Sequence, residues 1–158
     1  MNIKIKQSTD FDLLIEWRME VLRDVFSIPK EESNDSLRTA NLDYYKSSLE
    51  NESHIACFAY CDNNIAGCGG MCLYNEMPSP DNPSGKCAYL MNIYTRPQFR
   101  KNGIAKATVN WLIDKAINNG ITKIYLETSE AGRKMYQNMG FRPMKDYMQL
   151  NTNLYRKS

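Results

Sequence analysis

Residues 96–116, RPQFRKNGIAKATVNWLIDKA, place a proline and several cations directly before a helical pattern. The apolar residues from Ala105 to Ala116 recur at helical spacing, so one face of this helix is expected to pack on a sheet. Residues 96–106 hold four cations and no acid. The first turn of a helix already carries unpaired N–H groups and partial positive charge, so these cations oppose the helix dipole unless an anion binds there.

Two small residues strengthen the case for a bound anion. Gly103 would let the backbone approach a ligand closely, and Ala105 keeps the next turn free of bulk. A phosphate group is the ligand that such a helix start favours. The same residues are also compatible with an ordinary basic loop that leads into an amphipathic helix.

The length and charge of the chain limit its architecture and its partners. A chain of 158 residues predicts a single domain over residues 1–158. The net charge is +2, from 20 cations and 18 anions, which argues against a nucleic-acid or membrane partner. The N-terminal MNIKIKQSTD has no apolar run after its lysines, and no run reaches the roughly 18 apolar residues of a membrane span. We therefore predict a cytoplasmic protein.

The cysteines predict free thiols and no bound metal. There are five, and none forms a CxxC pair. Small buried hydrophobes in a reducing compartment are the favoured interpretation. A zinc site that uses the single histidine, His54, is the alternative, although its spacing differs from structural zinc modules. The shortage of histidine also argues against a hydrolase with a serine or cysteine nucleophile.

The pattern along the chain predicts the order β-α-α-β-β-β-α-β-α-β. The predicted elements are a strand at 2–7, a helix at about 10–26, a helix from 33–35 to 49, hairpin strands at 54–62 and 64–74, a loop at 75–86, a strand at 87–95, the helix quoted above, which Gly120 ends, a strand at 122–128, a helix at 130–140 and one or two short strands within 141–151.

Three segments resemble a known family. RKNGIA at 100–105 matches the pattern R/Q-x-x-G-x-G/A, and YQNMGF at 136–141 is similar to Y-x-x-x-G-F. NIYTRPQF at 92–99 looks like a fourth strand with the proline turn that follows it. Together with the element order, these segments resemble the GNAT superfamily of acetyl-CoA-dependent N-acetyltransferases over essentially the whole chain.

The resemblance implies a fold and a cofactor site. The fold is a mixed α/β sheet, mostly antiparallel, which splays between strands 4 and 5 and carries helices on both faces. Acetyl-CoA is the implied co-substrate, and no metal is implied. The residues implied to hold the CoA pyrophosphate through their backbone amides are Arg100, Lys101, Asn102, Gly103, Ile104 and Ala105. Ile93 and Thr95 are implied to bind the pantetheine arm through their main chain.

The chemistry of thioester aminolysis assigns further roles. An amine attacks the thioester carbonyl, an oxyanion develops and a thiolate leaves, so a backbone donor at the oxyanion is worth about 3 kcal/mol. The Ile93 amide is the candidate donor. Tyr136 matches the family tyrosine that donates a hydrogen bond or proton to the departing sulfur. The alternative for Tyr136 is an aromatic side chain that only packs in the core.

A base or a water path must also remove the proton of the attacking amine. Glu127, near the end of the predicted fifth strand, is the first candidate, and an exposed carboxylate or helix cap is its alternative. Glu16 and Glu20 are second choices. Arg18 lies between them, and we favour a surface ion pair for it over a contact with an acceptor carboxylate.

One departure from the family concerns the cofactor. Between Leu126 and Tyr136 there is no asparagine to touch the cofactor, and Ser129 or Arg133 is the candidate substitute.

The predicted activity is transfer of an acetyl group to a primary amine of a small molecule or peptide by direct attack in a ternary complex. A non-catalytic acyl-CoA-binding module is the alternative. A doubly wound nucleotide-binding domain is disfavoured because its glycine-rich turn would follow the first strand. The sequence leaves monomer and homodimer, and acyl groups other than acetyl, open.

Overall fold

The computed structural model describes residues 1–155, which form a five-stranded sheet and four α-helices. The elements are β1 (Ile3–Gln7), α1 (Phe11–Val25), α2 (Asp35–Glu50), β2 (His54–Cys61), β3 (Asn64–Asn75), β4 (Lys86–Thr95), a 3-10 turn (Pro97–Phe99), α3 (Ile104–Asn118), β5 (Lys123–Leu126) and α4 (Glu130–Asn138).

Local signals in the sequence place these elements well. The Asp10 carboxylate accepts a hydrogen bond from the Leu13 amide at 3.2 Å, so the predicted cap begins α1. Asp62 and Asn63 have φ values of 53° and 137° and make the tight turn between β2 and β3. Both predictions are confirmed.

The sheet has the strand order β1-β2-β3-β4-β5, in which only the β4–β5 pair is parallel. That pair runs from Cys87 opposite Lys123 to Leu90 opposite Leu126. From Met91 to Thr95, β4 therefore has β3 as its only strand neighbour among the described residues. The predicted mixed sheet that opens between strands 4 and 5 is confirmed.

Two consecutive glycines of β3 show how the helices cover both faces of the sheet. A Cβ atom on Gly69 would lie 2.6 Å from Thr108 Cγ2 of α3. A Cβ atom on Gly70 would lie 2.7 Å from His54 Nε2, and the His54 ring packs against Tyr44 of α2. Because successive residues of a strand point to opposite faces, α3 and α2 lie on opposite sides of the sheet.

The core under α1 is aromatic. Trp17 packs edge-on against Phe58 of β2 and Tyr94 of β4, with ring centroids 5.6 and 6.4 Å apart. Trp17, Phe58 and Tyr94 belong to the same buried cluster as Tyr45 of α2. This cluster anchors α1 beside the end of β4.

The described chain divides into two compact units, residues 1–127 and the segment from Thr128 onward. The first unit holds the whole sheet and α1 to α3, and the second holds α4 and the residues that follow it. The single domain over residues 1–158 stays a prediction.

The prediction of one or two strands within residues 141–151 is wrong. The structure forms no strand from 139 to 155, the last described residue. FRPMKDYMQLN contains no β-branched residue, and Pro143 removes one amide donor. Its Met148 side chain is 99% exposed, so this segment buries little that would hold it on a sheet.

Within residues 1–155, every helix is too short or too polar to cross a bilayer.

Candidate active site

The segment between β4 and α3 folds into a concave loop. Lys101 and Gly103 have φ values of 63° and 79°, in the left-handed region, which costs a residue with a side chain about 1–2 kcal/mol. A Cβ atom built on Gly103 would meet no atom within 4 Å, so this position opens outward. Alternation of right- and left-handed residues turns successive N–H groups toward one side, as in anion-binding nests.

The amides of this loop are left unpaired. The Arg100 amide donates to the Pro97 carbonyl at 3.2 Å, and the Ala107 amide donates to the Gly103 carbonyl at 3.0 Å. Between them, the amides of residues 101–106 have no acceptor in the described part of the chain. The first turn of α3 has no acid and no side-chain cap. Six consecutive donors are therefore available to an anion.

Two of the four cations near this loop are already paired with α1. Arg96 forms a bidentate ion pair with Glu20 at 2.9 and 2.7 Å, and Arg100 pairs with Asp24 at 3.2 Å. Lys101 and Lys106 make no ion pair within residues 1–155. The acids of α1 therefore position the loop, while the amides and the two lysines supply its unneutralised positive charge.

The end of β4 carries a bulge. The pairing with β3 moves from Met91 opposite Gly70 to Tyr94 opposite Cys68, so two residues of β4, Asn92 and Ile93, oppose Gly69 alone. Asn92 has a φ of 58°, outside the strand region. The bulge therefore redirects the backbone at Ile93, the predicted oxyanion donor.

Thr95 lies between the bulge and the loop. Its carbonyl accepts a hydrogen bond from Arg100 Nε at 3.0 Å. Its hydroxyl oxygen is buried and has no hydrogen-bond partner among the described residues. A buried hydroxyl without a partner costs free energy, and a bound polar ligand would remove that cost.

Within the second unit, Tyr136 is 9% exposed and packs edge-on against Phe141 at 5.6 Å. Burial raises the pKa of Tyr136 above its usual value, so the hydroxyl stays protonated at neutral pH. Arg133 forms an exposed ion pair with Glu130 at 3.1 Å, one helical turn away.

Comparison with known families decides the class of this protein. The model of the acetyltransferase (GNAT) family matches residues 14–141. The chain belongs to this family. The predicted family, the predicted fold class and the prediction of an acetyl-CoA-dependent N-acetyltransferase are thereby confirmed.

Solved structures agree with this GNAT assignment. A predicted acetyltransferase from Clostridium acetobutylicum, determined with acetyl-CoA, is 26% identical; the match covers 99% of this chain and 100% of that one, with a TM-score of 0.84. Glucosamine-6-phosphate N-acetyltransferase from Arabidopsis thaliana is 17% identical over 96% and 99% of the two chains, with a TM-score of 0.70. AAC(6')-Iy, in complex with a bisubstrate analogue, CoA-S-monomethyl-acetylneamine, is 19% identical over 100% and 99%, with a TM-score of 0.72. A search of curated proteins found no match.

The acidic candidates of this GNAT protein lie in different places. Glu127 directly follows β5 and is exposed. Burial and then the charge of Glu127 raise the pKa of Tyr89 on β4. Glu20 is held by Arg96, whereas Glu16 is exposed and makes no ion pair within residues 1–155.

Arg18 bridges α2 and the bulge of β4 through hydrogen bonds. Its Nε donates to Asn41 Oδ1 of α2 at 3.0 Å, and its Nη1 donates to Asn92 Oδ1 at 2.9 Å. The surface ion pair predicted for Arg18 is wrong, because no carboxylate in the described chain pairs with it. The nearby Glu20 is occupied by Arg96, and Arg18 is drawn toward the side-chain amides instead.

A polar cluster lies next to this arginine. The Tyr44 hydroxyl is 2.8 Å from His54 Nδ1 and 2.9 Å from Cys72 Sγ. Burial, followed by the charge of Arg18, lowers the pKa of His54 to about 4, so the ring is neutral. Among the described residues, no group of three or more potential ligands is arranged to hold a metal ion.

The sequence interpretation missed two parts of this site. It did not single out Asn92, although an asparagine inside the apolar run LMNIYT is itself a signal, since asparagine tolerates positive φ better than most residues. It also missed Asn41 and Tyr44, which no local pattern marks because their roles depend on how α2 packs against α1 and the sheet.

Proposed function

We propose that this GNAT protein transfers the acetyl group of acetyl-CoA directly to a primary amine of a small molecule or peptide within a ternary complex. The observation that carries the proposal is the row of unpaired amides at residues 101–106, next to an acid-free helix start. These amides would hold the CoA pyrophosphate. Thr95 and Ile93 would bind the pantetheine arm, in keeping with the buried, unpaired hydroxyl of Thr95.

The catalytic roles follow the needs of the reaction. The Ile93 amide at the bulge would stabilise the oxyanion. Glu127, or a water path, would accept the proton that the amine loses. Tyr136, which burial keeps protonated, would donate to the departing thiolate; its assignment comes from the family motif.

Direct transfer is also favoured by the state of two buried thiols. Burial raises the pKa of Cys57 to about 12 and also raises the pKa of Cys68, which argues against an acyl-enzyme at these two thiols. All five cysteines are free, in keeping with a reducing compartment such as the cytoplasm.

Ligand-induced stabilisation tests the cofactor assignment. CoA should raise the melting temperature, with about 2.7 kcal/mol of stabilisation at 100 times its Kd, while NAD and ATP should not. Release of free CoA from acetyl-CoA is then measured against a panel of amines. Binding without turnover across acyl donors and amines would favour the non-catalytic module, and absence of CoA binding would overturn the proposal.

The substitution Tyr136→Phe tests the acid. It removes one hydroxyl and keeps the ring contact with Phe141, so the fold should persist. Loss of a general acid should lower kcat by about 100-fold or more. The rise in melting temperature with CoA should be unchanged. An unaltered kcat would mean that Tyr136 only packs in the core.

A further inference from the structure

Arg18 is a cation that the proposed transfer reaction does not use. It is half-buried on α1, and its two hydrogen-bond partners, Asn41 and Asn92, are neutral amides. Partial burial removes some of the water that hydrates the guanidinium, and the described chain supplies no carboxylate in its place. The side chain carries a full positive charge, since arginine keeps its proton in proteins.

The guanidinium has donors left over. Of its five N–H groups, one on Nε and one on Nη1 are used. The other three, two on Nη2 and one on Nη1, have no acceptor among the described residues. The two asparagine oxygens fix the plane of the guanidinium without neutralising it. A fixed, planar, unneutralised fork is the geometry that recognises a carboxylate.

The position of this fork relates it to the acyl group. Asn92, which Arg18 grips, directly precedes Ile93, the proposed oxyanion donor, and both lie in the bulge. The side chain of Ile93 lies near α3, since its Cδ1 would be 3.0 Å from a Cβ on Gly69, whereas Asn92 faces α1. A carboxylate on Arg18 would therefore lie on the α1 side of the bulge, next to the residue that precedes the proposed oxyanion donor.

We infer that Arg18 binds a carboxylate of the acceptor, so that the acceptor is an amino acid, with a carboxylate as well as the amine that is acetylated. This inference rests on the proposed transfer reaction and names its acceptor class. A polycationic acceptor is disfavoured, because the unneutralised guanidinium would repel a second positive group near the attacking amine.

Matched acceptors test the inference. Each amino acid in a panel is compared with its carboxamide, its decarboxylated amine and an amine that carries a phosphate in place of the carboxylate. Release of free CoA gives kcat and KM. The amine of a carboxamide is less basic than that of the acid, so a preference for the acid cannot arise from the protonation state of the amine.

Two variants separate recognition from general charge. Arg18→Gln should lower kcat/KM for the best amino acid by about 10- to 100-fold and remove the preference over its carboxamide, because a hydrogen-bonded ion pair is lost. Arg23→Gln removes the same charge from an exposed position on the same helix and should change neither. Both variants should keep the stabilisation by CoA.

The possible failures are distinct. Absence of CoA binding by the protein without substitutions would overturn the transfer proposal itself. Turnover without a carboxylate preference, a preference that survives Arg18→Gln, or an equal preference for phosphate would overturn the inference. If no amine is turned over, N-acetyl amino acids are titrated into the CoA-loaded protein. A rise in melting temperature that Arg18→Gln abolishes would support the inference, and no Arg18-dependent rise would overturn it.

Discussion

The two sides of the β4 bulge are built in opposite ways. On one side, consecutive residues 101–106 offer unpaired main-chain amides. On the other side, Arg18, Asn41 and Asn92 come from three separate elements, and Arg18 and Asn92 are 74 residues apart in sequence. A site made of backbone serves a ligand that never changes, whereas a site made of side chains can be altered one residue at a time.

Charge is also handled differently on the two sides. Near the loop, Arg96 and Arg100 are paired with acids of α1, and the unpaired amides and two lysines supply the remaining positive charge. At Arg18, the partners are neutral amides, so the full charge remains. We expect the loop to tolerate changes to its cations better than the other side of the bulge tolerates loss of Arg18.

The largest effect that should separate the two sides is that of pH on stability, because only the Arg18 side contains a buried histidine. The pKa of His54 is about 4 in the folded protein and 6.5 in the reference state. Between pH 6.5 and about 4, His54 therefore binds a proton in the unfolded chain but not in the folded chain. The contribution of neutral His54 to the free energy of unfolding is fully present above pH 6.5. It is lost as the pH falls toward 4, which lowers the free energy of unfolding by up to about 3 kcal/mol.

Chemical denaturation at neutral pH and near pH 4.5 measures this loss. The variant His54→Gln cannot titrate at this position, so its stability should fall less over the same interval. Equal losses in the two proteins would show that other groups dominate.

The next effect concerns the packing of α3. In Gly69→Ala the new methyl group would lie 2.6 Å from Thr108 Cγ2, so the overpacking should cost about 2 kcal/mol and lower the melting temperature by about 6 °C. Thr108→Ser removes that Cγ2 and keeps the hydroxyl bonded to the Ile104 carbonyl. The double variant should recover part of the loss, and strictly additive effects would refute the contact.

A smaller effect should distinguish the glycine in the loop from the glycine at the other end of α3. Gly103 and Gly120 stand at the two ends of α3 with φ values of 79° and 74°. Alanine at either position should cost about 1–2 kcal/mol of stability. Only Gly103→Ala should also weaken CoA binding, by about tenfold, as measured by titration. Equal CoA affinity in both variants would place the pyrophosphate elsewhere.

The smallest effect distinguishes the two ion pairs of the loop. Glu20→Gln breaks a bidentate pair whose side chains are each 33% exposed, and should cost about 1 kcal/mol. Asp24→Asn breaks a single contact about half exposed, and should cost less than about 0.5 kcal/mol. Denaturation midpoints in the reverse order would contradict this ranking.

The sequence was informative where structure is local. The Asp10 cap, the turn at Asp62 and Asn63 and the glycine at the start of α3 each follow from a few neighbouring residues. The residues of Arg18's environment could not be predicted, because its partners are set by the packing of α2 and by a bulge.

The prediction of terminal strands was wrong for a related reason. Residues 141–151 carry apolar side chains, but nothing in a strand pattern tells whether a partner strand exists for them to pair with. Phe141 instead packs on Tyr136, within the same unit.

The five thiols differ in exposure, so their reactivity can report transient opening of the sheet. Cys57, Cys61, Cys68 and Cys87 are buried, and Cys72 alone among the five is partly exposed. An alkylating reagent should therefore mark Cys72 first and reach the other four at the rate at which the sheet transiently separates. Mass spectrometry of the successive adducts would then give the order and the rate at which the buried thiols become accessible.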